Sequence, residues 1–215
     1  MTGASAPRRG RPARLSREQI VDAAERVVTT EGVEALTMRR VAALLKSSPM
    51  AIYRHVRDRD ELLLCLLDRT AARLPHPDLP ADPRQRLLVL WRIIHDGLAA
   101  SPWVIDVLVK GDLAGSSILW AIEEILAAFV ETGLSPEQAA AAYRVTWQYT
   151  VGVLTIRIGV GEGEPEDRHF QADMIAAADP ARTPIISALA SAWPHQWDNY
   201  EYGLSAVLQG LLPPP

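Results

Sequence analysis

The segment SSPMAIYRHVRDRDEL, residues 47–62, constrains the fold of this chain most, because it follows closely on TMRRVAALL at residues 37–45. Ser48 and Pro49 predict a helix start: a hydroxyl that caps free backbone N–H groups, then a proline at the first helical position. The helix that follows is only about two turns long. A short helix joined to the preceding one by a tight turn is a helix-turn-helix.

The side chains of this second helix indicate what it contacts. Ile52 and Val56 are four residues apart and can both point inward. Five residues are then left largely outward: Met50, Ala51, Tyr53, Arg54 and His55. An exposed face that carries an aromatic ring, a guanidinium and an imidazole suits a polyanion. The pattern therefore predicts that this chain binds DNA.

The distribution of charge supports this interpretation. The chain has a net charge of −4, which on its own argues against nucleic acid. Residues 1–60, however, contain 12 Arg and Lys against 7 Asp and Glu, a net charge of +5, whereas the remaining 155 residues contain 10 against 19, a net charge of −9. This asymmetry indicates one end suited to phosphates and another that phosphates repel. The alternative is random scatter of surface charge.

Composition excludes several other classes of protein. A length of 215 residues, 48% of them hydrophobic, is enough for a large core. Cys65 is the single cysteine, which excludes an internal disulfide and a cysteine-based zinc cluster. No apolar run approaches the roughly 18 residues that a membrane span needs. The arginine- and proline-containing N-terminus does not resemble a secretory signal, so we expect a cytoplasmic protein.

Residues 1–15 are polar and rich in proline and glycine, and they lack the apolar content to fold alone. They form either a disordered tail or a flexible basic arm whose arginines reach phosphates or a narrow minor groove. The second interpretation is favoured because the segment adjoins the DNA-binding helices. The arginines concerned are Arg8, Arg9, Arg11 and Arg14.

The rest of the sequence predicts helices and no β-strand. Capping boxes mark three of the helix starts, at Ser16–Gln19, Asp58–Glu61 and Ser135–Gln138. Gly32 is expected to end the first helix in a left-handed conformation, and the proline-rich residues 75–83 to break the chain. The predicted helices are 16–31, 37–45, 48–56, 58–74, 85–100, 117–133 and 136–158, and a last one from residue 198. An acidic loop that contains one short helix is expected over 159–184.

The N-terminal helices resemble the DNA-binding domain of the TetR family of transcriptional repressors. The residues that carry the resemblance are the opening helix with Gly32, then LTMRRVAALL, Tyr53-x-His55-Val56 and Arg57–Leu62. The resemblance implies an all-α fold, with a three-helix helix-turn-helix DNA-binding domain followed by a larger helical ligand-binding and dimerisation domain. The expected boundaries are a basic arm at 1–15, the DNA-binding domain at 16–60, a connecting helix and loop at 61–83 and the second domain at 84–215.

The resemblance also implies roles for particular residues. The position of Thr37 caps the second helix and touches a phosphate, Arg39 binds a base or a phosphate, and Tyr53, His55 and Arg59 match phosphate contacts. Met50, Ala51 and Arg54 fall where bases are read, which their chemistry allows. Lys46 departs from the family because it stands where the turn often has glycine. With the capping Ser48, the predicted DNA-binding residues are Thr37, Arg39, Ser48, Met50, Ala51, Tyr53, Arg54, His55, Arg59 and the four arm arginines.

Aromatic and polar residues of the second domain are candidates for an effector site. Trp91 and His95, like Tyr143 and Trp147, are four residues apart and share a helix face. Core packing is the alternative for each tryptophan. As a set they predict a pocket for a mostly apolar or aromatic small molecule. The predicted residues are Trp91, His95, Trp103, Trp120, Tyr143, Trp147 and Gln148. No metal site is expected, since no two histidines share a helix at ligand spacing.

Small residues on the last long helices predict a homodimer. Four consecutive alanines at 139–142 and Gly152 lie in one helix, and Gly203 and Gly210 in the last. Small side chains allow helices to approach closely, and the apolar stripe of the last helix needs a cover. Burial within one chain is the alternative. A two-fold dimer would place two recognition helices about one turn of DNA apart, on a palindromic operator.

The alternatives to a ligand-released repressor are an enzyme and a regulator without a small-molecule ligand. An enzyme could use His95–Asp96 or the glycines at 159–163, but no G-x-S-x-G, Walker or G-x-G-x-x-G motif is present. We therefore predict no catalytic residues and no cofactor. The other alternative is a DNA-binding regulator without a small-molecule ligand, controlled by a protein partner or by its own level. A cavity between the helices of 85–158 would favour the ligand sensor, and a filled core the alternative.

Overall fold

The structure is a computed structural model that describes residues 15–110, 113, 115–162, 173–190 and 199–214. Within these residues the chain forms helices joined by turns, and no strand is found there. The chain divides into two compact units, residues 1–67 (unit 1) and 68–215 (unit 2). The predicted all-α class is confirmed. No helix in the described ranges is both long and apolar enough to cross a membrane.

Helix α1, Arg17–Glu31, begins at the predicted capping box. The Ser16 hydroxyl accepts a hydrogen bond from the Gln19 amide at 3.2 Å, and the Gln19 side chain accepts one from the Ser16 amide at 3.0 Å. Gly32 ends the helix with the expected positive φ of 83°, but its ψ of 167° lies outside the left-handed helical region. Glycine adopts this conformation without steric cost. The buried face comprises Ile20, Val21, Ala23, Ala24, Val27 and Val28.

After a 3-10 turn at Val33–Ala35, helices α2, Met38–Leu44, and α3, Pro49–Tyr53, form the predicted helix-turn-helix. The Ser48 hydroxyl accepts a hydrogen bond from the Ala51 amide at 3.3 Å, which caps α3 as expected. Ile52 and Val56 are almost completely buried, at 0% and 1% exposure. The inward face of the second helix is therefore the predicted one.

Lys46 occupies the turn between these two helices. Its amide donates to the Ala43 carbonyl and that of Ser47 donates to the Ala42 carbonyl, the paired bonds of a Schellman helix end. The motif requires a left-handed residue, and Lys46 adopts φ +50° to provide it. Glycine is usual there because a Cβ atom is unfavourable in this conformation.

We expect Lys46→Gly to stabilise the chain against unfolding by up to about 1 kcal/mol, because it removes the left-handed strain of a residue with a Cβ atom. The midpoint of urea denaturation measures the change. Lys46→Ala removes the same charge and keeps the Cβ atom, so it should give no such gain. A glycine variant no more stable than the alanine variant would contradict the explanation.

Two helices end earlier than predicted, for the same reason. Helix α3 stops at Tyr53 rather than residue 56, and helix α4, Arg59–Ala72, stops before Leu74. Beyond both helices an amide bonds three residues back, that of His55 to the Ile52 carbonyl and that of Leu74 to the Ala71 carbonyl. The Ile52 carbonyl also accepts the Val56 amide. A tight last turn of this kind is common at helix ends.

Unit 2 contains the end of α4 and six further helices among its described residues. They are α5, Pro83–Ala100; α6, Trp103–Lys110; α7, Leu119–Glu131, preceded by a 3-10 turn at Ser116–Ile118; α8, Pro136–Glu162; α9, Pro184–Leu189; and α10, Tyr200–Leu211. The capping box at Ser135 is confirmed, since its amide bonds the Gln138 side chain at 2.8 Å and its hydroxyl the Gln138 amide at 3.3 Å. Residues 173–176 are also helical, within the 159–184 loop in which one short helix is expected.

The core of unit 2 forms where α5, α7, α8 and α10 pack together. Apolar side chains at helical spacing supply it, which is why these helices bury one face each. Its largest fully buried members are Leu87, Leu90, Trp91, Ile125, Phe129, Leu154 and Leu204.

Candidate nucleic-acid interface and effector site

The outer face of α3 carries the predicted base-reading residues. Met50 is 67% exposed and Tyr53 is 50% exposed, although both are large side chains. Arg54 is exposed as well, while Ala51 and His55 are half-buried. Because Ile52 and Val56 anchor the opposite face, these side chains are held outward on a rigid element. This arrangement can place hydrogen-bond donors and a thioether against base edges in a major groove.

The start of α2 adds two further candidates. Thr37 caps this helix, and its hydroxyl accepts a hydrogen bond from the Arg40 amide at 3.1 Å. Arg39 is exposed. A helix N-terminus with a hydroxyl and free amides favours a phosphate oxygen.

Carboxylates brace the helices around this face. The guanidinium of Arg40 holds Glu31 at the end of α1 through contacts of 2.7 and 2.8 Å, and this hydrogen bonding lowers the pKa of Glu31. Glu61 accepts the Arg57 amide at 2.7 Å and pairs with Arg17 at 2.7 Å, and the backbone hydrogen bond is the main cause of its lowered pKa. Arg40 is thus engaged within unit 1, in contrast to Arg39.

Arg59, which the resemblance matches to a phosphate contact, bonds backbone oxygens within unit 1 in this structure. Its Nε–H donates to the carbonyl of Leu36 and its Nη2 to the carbonyl of Val33, both at 2.9 Å. The side chain is partly buried rather than extended into solvent. The guanidinium of Arg59 therefore has two backbone hydrogen-bond acceptors within unit 1. The arm arginines Arg8, Arg9, Arg11 and Arg14 lie outside the described residues.

The predicted effector residues divide by burial. Trp91, His95 and Trp103 are buried; Trp120, Tyr143 and Trp147 are half-buried; and Gln148 is exposed. The structure brings Trp91 and Tyr143 together, with ring centroids 5.5 Å apart, and burial raises the pKa of Tyr143. Trp120 lies instead against His76, with ring centroids 4.0 Å apart and ring planes tilted by 30°.

Sequence reasoning missed the residue at the centre of this cluster, Tyr200. Its ring stacks on His95 at 4.1 Å, and its hydroxyl lies 3.0 Å from the Thr150 hydroxyl and 3.2 Å from the Trp91 carbonyl oxygen. Burial raises the pKa of Tyr200 above its ordinary value. Tyr149 donates to the Tyr200 carbonyl at 3.1 Å.

A signal for this cluster was present in the sequence. Thr146 and Thr150 are four residues apart on α8 and so share a face, and a threonine pair on a buried helix face requires polar partners. Each bonds a carbonyl one turn back, at 2.9 Å. The spacing of Tyr200 with Leu204, Val207 and Leu211 places it on the apolar stripe of the last helix, and that pattern gives no sign of a role for its hydroxyl.

Two buried indole nitrogens have no hydrogen-bond acceptor among the described residues, those of Trp91 and Trp120. A buried donor without a partner is unusual and costs about 1–3 kcal/mol. A groove of about 450 Å³ lies elsewhere in unit 2, and no predicted effector residue lines it. Its lining is Met174, Ile175, Ala178, Asp179, Arg182, Thr183 and Ile186.

The fold and the exposed recognition helix define a helix-turn-helix DNA-binding protein, and comparison with known families identifies which one. The family model "Bacterial regulatory proteins, tetR family" matches residues 20–66, and "Tetracyclin repressor-like, C-terminal domain" matches residues 76–213. The chain belongs to the TetR family and is a DNA-binding transcriptional repressor. Because members of this family are transcription factors and not enzymes, the prediction of a non-enzyme is confirmed.

Individual relatives agree with this assignment. The HTH-type transcriptional repressor DrrR1 of Streptomyces coeruleorubidus is 27% identical over 222 residues, covering 95% of this chain and 80% of the relative. Apo ActR from Streptomyces coelicolor has the same fold, with a TM-score of 0.79 and 22% identity over 93% of this chain and 96% of ActR. ActR in complex with actinorhodin is similar at a TM-score of 0.77 and 24% identity, covering 93% and 96%.

Proposed function

We propose that this chain is a homodimeric repressor that binds a palindromic operator and leaves it when a mostly apolar or aromatic small molecule binds unit 2. The DNA-binding part of this proposal rests on the outer face of α3. Met50, Tyr53 and Arg54 are exposed there, on the side opposite the buried Ile52 and Val56. Residues 16–60 form the DNA-binding domain in this proposal, 61–83 the connection and 84–215 the dimerisation and ligand-binding domain.

The contacts of α3 divide into two kinds. Arg54 can donate two parallel hydrogen bonds to a guanine edge, and Met50 and Ala51 suit a thymine methyl group. Thr37, Arg39, Ser48, Tyr53 and His55 bind phosphates or hold the helix against them, which fixes the register without reading sequence. Outside the major groove, further contacts to phosphates or the minor groove come from the arm arginines Arg8, Arg9, Arg11 and Arg14.

We expect Arg54→Ala to weaken binding to the preferred duplex by about 1–3 kcal/mol and to relax specificity at one base pair, because it removes a base contact. Tyr53→Phe should instead weaken binding to all sequences about equally. The preferred duplex is obtained by selection from a random library with the wild-type chain. Affinities for it and for a scrambled duplex are then measured by fluorescence anisotropy. Equal losses on both duplexes for Arg54→Ala would refute the base-reading role.

A stripe of small and apolar side chains on α8 supports the dimer. Ala141, Val145, Gln148, Gly152 and Ile156 recur every three or four residues, and Val145 and Ile156 are 43% and 58% exposed. A methyl group added at Gly152 would meet no described atom within 4 Å. Gln148 lies on this stripe, so we propose that it contacts the partner rather than the effector.

Helix α10 carries a second exposed row, with the same spacing. Tyr202 is 80% exposed, and Ala206 and Gly210 follow it at intervals of four residues. A two-fold axis that pairs α8 and α10 with their copies would cover both rows in one four-helix interface.

The effector site is proposed around the half-buried aromatic residues of unit 2. Tyr143 and Trp147 lie on one face of α8, and Trp91, His95 and Tyr200 pack nearby in the core. The unpartnered indole nitrogens of Trp91 and Trp120 would gain an acceptor from a ligand that bears a carbonyl or similar oxygen. Trp103 completes the predicted set as a buried wall residue.

One observation favours the alternative, a regulator without a small-molecule ligand. Trp91 is 0% exposed and His95 and Trp103 are 7% and 8% exposed, as in a filled core. A thermal-shift screen of lipophilic aromatic compounds against the purified chain separates the two. The sensor requires a hit that raises the unfolding temperature and also releases the selected duplex. If no stabilising compound releases DNA, the alternative holds.

A further inference from the structure

Arg59, the first residue of α4, makes polar contacts with backbone oxygens far back along the chain, just before α2. Its Nε–H and Nη2 reach carbonyl oxygens 23 and 26 residues earlier in the chain, on Leu36 and Val33, both at 2.9 Å. These carbonyls lie at the 3-10 turn that directly precedes Thr37. The guanidinium thus joins the start of α4 to the entrance of α2.

The two carbonyls that accept from Arg59 belong to buried residues, so few other donors can replace it. The side chains of Leu36 and Val33 are 0% and 6% exposed, so the turn is packed into the core of unit 1. Hydrogen bonds from a charged donor are stronger than neutral ones, and one guanidinium can satisfy two acceptors in a fixed geometry. Without Arg59 the Leu36 carbonyl loses the donor that the structure gives it.

Arg57, two residues earlier, provides a comparison because most of its side chain is in solvent. Its side chain is 83% exposed, and its only described ion pair is a 3.3 Å contact with Glu61. The two arginines carry the same charge close together in sequence. They differ in that one is fixed to backbone oxygens and the other extends into solvent.

We infer that Arg59 is a positioning residue: it fixes the Val33–Leu36 turn, and through it Thr37 and α2, and it does not itself neutralise a DNA phosphate. The Leu36 peptide precedes Thr37, whose extended backbone, φ −132° and ψ 152°, allows its hydroxyl to cap α2. The inference rests on the DNA-binding function and adds to it a residue that acts through another.

The test compares Arg59→Ala with Arg57→Ala on a fluorescein-labelled 30-base-pair duplex over a series of NaCl concentrations. For Arg59→Ala we expect about tenfold weaker binding at every concentration, an unchanged slope of log affinity against log salt, and a lower unfolding temperature. Arg57→Ala should leave the unfolding temperature unchanged. A slope reduced by about one per protomer for Arg59→Ala, with unaltered stability, would mean a phosphate ligand and overturn the inference.

A double-variant cycle separates positioning from simple loss of stability. Affinities are measured at 10 °C, where the variants are folded by circular dichroism, for Arg59→Ala, Thr37→Val and the two combined. If Arg59 acts through Thr37, the double variant loses clearly less than the product of the two single losses. Strictly multiplicative losses would show that the two residues act independently, and the inference would be wrong.

If Arg59→Ala does not fold, Arg59→Lys distinguishes a phosphate contact from a positioning role. Lysine keeps the charge but lacks the planar fork, so a phosphate ligand would keep wild-type affinity and a two-carbonyl brace would lose most of it. Wild-type chain that binds no duplex at all would instead contradict the proposed function, which is a distinct outcome.

Discussion

Val145→Glu combined with Ile156→Glu should leave the purified chain monomeric and weaken its binding to the selected palindromic duplex at least about 100-fold. Both side chains are exposed on the α8 stripe, so the charges are tolerated by the isolated chain but not by a copy packed against it. A dimer makes the second half-site contact intramolecular, and a monomer loses that advantage. Light scattering measures the mass, and fluorescence anisotropy the affinity.

Leu119→Glu is the matched control for this experiment. Leu119 is 59% exposed at the start of α7, outside the α8 and α10 rows, so its charge should change neither mass nor affinity. Binding of the double variant to a single half-site should also stay within about threefold of wild type. A double variant that remains dimeric would place the dimer interface elsewhere.

Trp91→Ala should destabilise unit 2 by about 3–5 kcal/mol, the loss typical of removing a large aromatic side chain from a core. Trp91 is fully buried beside Tyr143, and its backbone carbonyl lies 3.2 Å from the Tyr200 hydroxyl. All six tryptophans follow residue 68, so fluorescence during urea denaturation reports unit 2 directly.

Trp120→Ala provides the comparison, because Trp120 is half-buried and its loss should cost markedly less. The pair of variants also distinguishes a core from a pocket. A tryptophan that lines an open pocket can be truncated at small cost. A loss below about 1 kcal/mol for Trp91→Ala would therefore contradict its place in the core.

The helix-turn-helix could be predicted from the sequence because its signals are local. Ser16 with Gln19, and Ser135 with Gln138, form the capping boxes that their spacing predicts. The anchor pair Ile52 and Val56 faces inward for the same reason, since residues four apart share a helix face. In each case the partners lie within one or two turns along the chain.

The features that sequence reasoning missed depend on partners distant in sequence. Arg59 bonds carbonyls 23 and 26 residues away, and Tyr200 reaches Trp91 across 109 residues. A side chain's type does not reveal whether its charge meets a phosphate or a backbone oxygen. Lys46 could be predicted only in part. The sequence places it in the turn between α2 and α3, but does not show that a lysine adopts the left-handed conformation there.

The salt dependence of DNA binding tests the central claim most directly, because phosphate contacts release counterions and base contacts alone do not. For the wild-type chain and its selected duplex, log affinity should fall linearly with log NaCl concentration. The expected loss between 50 and 200 mM is at least about 100-fold. An affinity that stayed constant over this range would contradict a repressor whose exposed α3 helix binds the phosphates and bases of duplex DNA.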